Sequence, residues 1–173
     1  MILLNNTFKL KLLPYTHDMS HITLEFMTQS NKYQIIVVYR THFQQRDQPF
    51  LWPSFSFPTP WPQTVSKTHL FEKLNHGLAH RSLTIGYVSQ CVLTPTNTFV
   101  LKRLFSTLKK SCVLPLHDMK IDWVRQQTIG NRGVNVIIGD FIDLNNGQFP
   151  LEIIQLNFKM FPNNASSNLT PVE

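Results

Sequence analysis

Charge is scarce in this sequence: Lys, Arg, Asp and Glu make up only 15% of its 173 residues. Beside 42% hydrophobic residues, that scarcity excludes disorder for the bulk of the chain and leaves a globular fold with a core of its own. Long apolar runs are missing as well. None approaches the roughly 18 residues that a membrane-crossing helix needs. The opening Met1-Ile2-Leu3-Leu4 breaks at once into Asn5-Asn6-Thr7, so no secretory signal and a cytoplasmic chain are the expectation. Asn5 and Asn164 are then not expected to carry glycans. Cysteine occurs twice, at Cys91 and Cys112, without metal-ligand spacing, so both are expected to be reduced, buried thiols. There is no glycine-rich phosphate loop, no Gly-x-Ser-x-Gly elbow and no His-Glu-x-x-His, and no cofactor or metal is expected.

What is present is an α/β order. The run Val134-Asn135-Val136-Ile137-Ile138-Gly139-Asp140 reads as a strand buried on both faces, as in a parallel sheet. Alternation puts Val134, Val136, Ile138 and Asp140 on one face and Asn135, Ile137, Gly139 and Phe141 on the other. A carboxylate closing an apolar row is costly unless something there uses it, and strand C-termini are where α/β enzymes hold their chemistry. Asp140 is therefore a candidate site residue, the alternative being a plain strand cap.

Upstream, Ser20 ahead of Ile22, Leu24, Phe26 and Met27 predicts a short capped helix. Gln34 to Tyr39 is a second apolar strand. Five prolines between Pro49 and Pro62 exclude a helix and, with the aromatics there, predict a packed extended loop around a short strand. Leu70, Phe71, Leu74 and Leu78 recur at helical spacing within 68–78. A strand over 83–93, helices over 99–108, 115–127 and 149–158, and a disordered tail after Pro162 complete the pattern. The net charge of +6 suits an anionic membrane surface, phosphate-bearing substrates or nucleic acid. Its clusters, Lys102-Arg103 and Lys109-Lys110, read as the solvated outer face of a helix.

Several of these segments, in this order, resemble one family. They are Gln34-Ile35-Ile36-Val37-Val38-Tyr39, Leu51-Trp52-Pro53, Pro60-Trp61-Pro62, Trp123-Val124-Arg125-Gln126, Asn135 through Ile142, and Ile154-Gln155-Leu156-Asn157. Together they resemble the C-terminal half of the phosphatidylinositol-specific phospholipase C X-domain-containing proteins. The resemblance implies a partial TIM-like barrel, roughly strands five to eight with flanking helices, over residues 12–160, with 161–173 as a tail. It implies a phosphoric diester hydrolase of lipid metabolism in which one histidine serves as base and another as acid. The segments that should carry those histidines would precede Gln34. His17-Asp18-Met19 imitates the family's His-Asp motif, yet too few residues separate it from Gln34 for the intervening strands.

On this likeness Asp140 matches the carboxylate that orients a catalytic histidine, and the histidine itself is missing. Arg40 could contact phosphate or an inositol hydroxyl, or be plain surface. Trp52 and Trp61 could form an interfacial rim or pack under the proline-rich loop. Arg40 and Asp140 are expected at one shared rim without a salt bridge. The chain alone is expected to be inactive, the alternative function being a non-catalytic module that binds anionic phospholipid at the membrane periphery. Its expected partners are phosphatidylinositol or another anionic lipid, and either the missing barrel half or a second copy across its open edges. Nucleic acid is not among them, for want of aromatics clustered in basic strands.

Overall fold

A computed structural model describes residues 11–28, 33–41, 47–130 and 132–159. Asn5, residues 29–32, His42, Met160, Asn164 and the rest of the tail 161–173 lie outside the described residues. The chain divides into two compact units, Met1–Thr59 with Ser82–Tyr87, and Pro60–Arg81 with Val88–Glu173. The α/β class holds. Among the described residues the strands form two two-stranded parallel sheets and no closed barrel.

The first unit holds helix α1 (Leu24–Thr28), strand β1 (Val37–Tyr39), strand β2 (Leu51–Pro53) and a 3-10 turn, Ser54–Ser56. The cap of α1 is not Ser20. Thr23 Oγ1 accepts the Phe26 N–H at 3.0 Å, and the Ser20 N–H goes instead to Asp18 Oδ1 at 2.8 Å. β1 and β2 pair in parallel with Val38 opposite Trp52, and Leu12 bridges Ile35 just ahead of β1. The short strand expected inside the proline-rich loop is β2, and it packs. Trp52 is fully enclosed (0% exposed), donates its indole N–H to Leu13 O at 2.9 Å, and meets Tyr15 and Phe57 by ring contacts. Residues 82–87, expected to begin a strand, lie against this unit instead. Gly86 donates to Ser56 O at 2.9 Å, and a Cβ there would collide with the Phe57 ring.

The second unit starts with helix α2 (Lys67–His80), capped by the Ser66 hydroxyl, which accepts from the His69 N–H. Leu70 and Leu74 turn into the core as their spacing predicted. Strand β3 (Val88–Cys91) follows, then helix α3 (Asn97–Leu101), a π-helical turn (Lys109–Val113) and helix α4 (Leu114–Arg125). Strand β4 (Val136–Gly139) and helix α5 (Leu144–Phe158) close the unit. α5 opens with a left-handed stretch, Asn145, Asn146 and Gly147 at φ 51°, 57° and 74°, so regular helix begins near the expected Phe149.

The expected 99–108 helix is cut short. Thr96 caps it, but after Leu101 the backbone turns, because Leu104, Phe105 and Leu108 find no core to pack on. The core lies among Leu70, Leu74, Cys91, Leu116, Ile121, Val124, Phe149 and Leu156. Both cysteines are free and buried there. No described helix is long and apolar enough to cross a membrane.

Candidate functional site

β3 and β4 run parallel in the register Val88↔Val136 to Cys91↔Gly139, so their C-terminal ends coincide. The expectation that β4 is buried on both faces does not hold. Ile137 packs on the core and Gly139 faces Lys120 and Phe149, so that face is covered by α4 and α5. Val136 and Ile138 on the other face remain 38% and 41% exposed. Alternation continues that uncovered row to Asp140, whose side chain is exposed at the strand end. Val134 departs from the expected row: it is buried, bridging Ile129 before the strand proper begins. Immediately after Asp140, Phe141 adopts φ +49°, a left-handed conformation that a non-glycine residue holds only where its surroundings impose it.

Lys120 closes the covered side of this strand end. Only 2% exposed, it reaches past Gly139, donates its ammonium to the Asp140 carbonyl at 3.3 Å, and stands 4.3 Å from the centre of the Phe149 ring. Burial pushes its pKa below the ordinary lysine value, opposed by the nearby Cys91 and Asp140. Burial likewise drives the Cys91 thiol up to about 12, opposed by Lys120. A small cleft opens between Cys91, Val92, Cys112, Leu116, Lys120 and Asp140. It therefore holds a desolvated cation, two protonated thiols and one carboxylate at a parallel strand mouth. That chemistry can orient or bind an anion.

The other expected site residues have surroundings of their own. Arg40 belongs to the first unit, where its exposed guanidinium donates to Thr59 Oγ1. Trp52 is a core residue of that unit, so the expected rim loses it: an indole without exposed surface cannot meet a lipid or head group. Trp61 is in the second unit, 51% exposed, donating to Thr94 Oγ1 at 2.5 Å just beyond β3.

Several described histidines have partners of their own. His17 Nδ1 meets Tyr15 OH at 3.1 Å, and its neighbour Asp18 binds Ser20, whose N–H holds that carboxyl below its usual pKa. No His-Asp couple forms there. His76 and His80 stack on α2 with ring centres 4.1 Å apart. His117 is buried on α4 with Nε2 3.2 Å from Gln148 Oε1 and no partner for Nδ1. Among the described residues no three His, Cys, Asp or Glu side chains gather as metal ligands.

Lys120 went unnoticed in the sequence, yet a signal was there. It stands four residues after Leu116 and four before Val124, in the apolar stripe of α4, where a lysine has no reason to be unless it is covered or used.

Comparison with known proteins finds no matching family model and no matching solved structure. Curated relatives do match. The chain is 36% identical over 127 residues to mouse PI-PLC X domain-containing protein 2, covering 73% of this chain and 36% of that protein. It is 30% identical over 138 residues to human PI-PLC X domain-containing protein 3, covering 79% and 42% respectively. The zebrafish protein of that name is 32% identical over the same 138-residue length. The chain thus spans about two fifths of the length of the relatives it matches.

Proposed function

The chain belongs to the PI-PLC X domain-containing proteins, and from that premise we propose that it is one portion of a phosphatidylinositol phospholipase C-type phosphoric diester hydrolase. It corresponds to strands five to eight of a TIM-like barrel acting in lipid metabolism. The observation that carries this reading is the coverage: three quarters of the chain matches, but against only two fifths of each relative.

Asp140 ends the uncovered face of β4 with no described histidine hydrogen-bonded to it, as a supporting carboxylate would if its histidine came from another segment. Val136 and Ile138 offer that segment an apolar surface. Arg40 serves as a phosphate contact and Lys120 holds the strand end in place. Without both histidines, general acid–base help of roughly 10²–10⁴ per group is lost, so the chain alone turns over nothing. The test is inositol phosphate release from phosphatidylinositol vesicles. The chain alone should stay at background, and turnover abolished by His17→Ala would overturn the alignment with strands five to eight.

A second reading is a non-catalytic module for anionic phospholipid. The net charge of +6 and the half-exposed Trp61 favour it.

A further inference from the structure

From Lys73 to His117 the sequence contains no acidic residue. Inside that stretch lies the segment between β3 and α4, where residues 101–110 are exposed without interruption. Its apolar side chains are large and point away from any core: Leu101, Leu104, Phe105 and Leu108 are 65%, 69%, 106% and 53% exposed. Four cations alternate with them, Lys102, Arg103, Lys109 and Lys110. Arg103 lies over the Phe99 ring at 3.8 Å, and Lys109 faces the Phe141 ring at 5.0 Å. The second contact joins this segment to the exposed Phe141-Ile142 tip after β4. The same side of the β3–β4 pair therefore carries both an apolar tip and a cationic collar.

We infer that the segment 100–110 is a membrane-docking element that inserts Leu104, Phe105 and Leu108 into the interface of an anionic bilayer. This inference rests on the lipid-binding reading above and names the surface responsible. A protein groove would demand matched carboxylates for four cations, and water does not favour four bare apolar side chains. An anionic leaflet satisfies both at once, accepting the apolar tips at the acyl boundary and the cations at the phosphates. Recognition is of surface charge and not of one head group, because no carboxylate or amide in the segment reads an inositol hydroxyl. The expected helix with a solvated basic face is replaced by a turn whose apolar residues share the outside with the cations.

Sedimentation with vesicles tests this, using phosphatidylcholine alone or mixed with phosphatidylserine or with phosphatidylinositol. The full chain should bind both anionic mixtures alike and leave phosphatidylcholine in the supernatant. L104S/F105S should weaken binding by about tenfold or more. K102A/K110A should weaken it by roughly 25-fold at low salt, about fivefold per cation, with the difference shrinking at high salt. The indole introduced by Phe105→Trp should be quenched by brominated lipid on binding, which reads insertion directly.

Both double variants binding like the parent, or an unquenched indole in bound Phe105→Trp protein, overturns this surface and leaves the lipid reading standing. A parent chain that binds no vesicle overturns both. A dimer dissolved by L104S/F105S, with no vesicle binding, assigns the patch to a second copy and overturns the proposal.

Discussion

Replacing Lys120 by Met should make the protein more stable. The ammonium is almost fully enclosed, and an effective cost of several kcal/mol attends burial of such an ion. Against that stand a charge-assisted hydrogen bond to the Asp140 carbonyl, about 1.5–3 kcal/mol, and the Phe149 contact, about 2 kcal/mol when desolvated. The lowered pKa says which side wins: the folded environment favours the neutral amine, so the charge carries a net cost. Met matches the stem in length and keeps the packing on Phe149, while the Asp140 carbonyl, on an exposed residue, can turn to water.

A gain of about 1 kcal/mol, or roughly 2–4 °C in Tm, is expected near neutral pH. The sign with pH is fixed. Between the lowered native pKa and the ordinary value of 10.5, the unfolded chain binds more protons than the native one, so wild-type stability rises with pH. The advantage of Met over Lys should therefore be full below the native pKa and should close as pH climbs towards 10.5. Urea unfolding of both proteins at several pH values measures it, and the contribution of Cys91 cancels in the difference. A Met variant less stable at neutral pH, or a gap unchanged with pH, would refute the reasoning.

Cys91 titrates with the opposite sign. Its native thiol stays protonated to about 12 against 9.0 when unfolded, so it costs stability as pH rises through that window; native Cys91 should also resist iodoacetamide at pH 8 and react fully in urea. Trp52→Phe keeps a ring in place but strips Leu13 O of its buried donor, costing about 1–3 kcal/mol in the first unit by urea titration. Gly86→Ala drives a methyl into the Phe57 ring and should cost about 1–3 kcal/mol, relieved when Phe57 is shortened to Leu in the same chain. Phe149→Ala opens the core and removes the ring under Lys120, for about 3–5 kcal/mol by the same assay.

Strong local periodicity was enough for some elements. The β-branched run of β4 and the Leu70–Leu74–Leu78 spacing of α2 announced themselves because their partners are built into the pattern. The 99–108 segment had comparable spacing and failed as a helix, since periodicity states that a face exists but not that a core waits for it. Trp52 and Trp61 both sit directly before a proline, and nothing local separates them. What does is the Leu13 carbonyl and β1, distant in sequence, which claim one indole and not the other. Asp140 was legible as a carboxylate ending an apolar row. Lys120 was legible only as a lysine in an apolar stripe, because its partners are a backbone carbonyl twenty residues later and a ring on another helix.

The parallel pairing of β3 with β4 also sets an order of events during synthesis. When Val88 leaves the ribosome, its partner Val136 is still close to fifty residues from being made, a delay of about 2–10 s at ordinary translation rates. For that interval β3 has neither its ladder nor the cover of α4 and α5, and the Cys91 thiol, later sealed against solvent, is open to oxidants with Cys112 following it out. A chaperone that holds residues 88–112 until α4 and β4 emerge would guard both the strand edge and the thiols in one act.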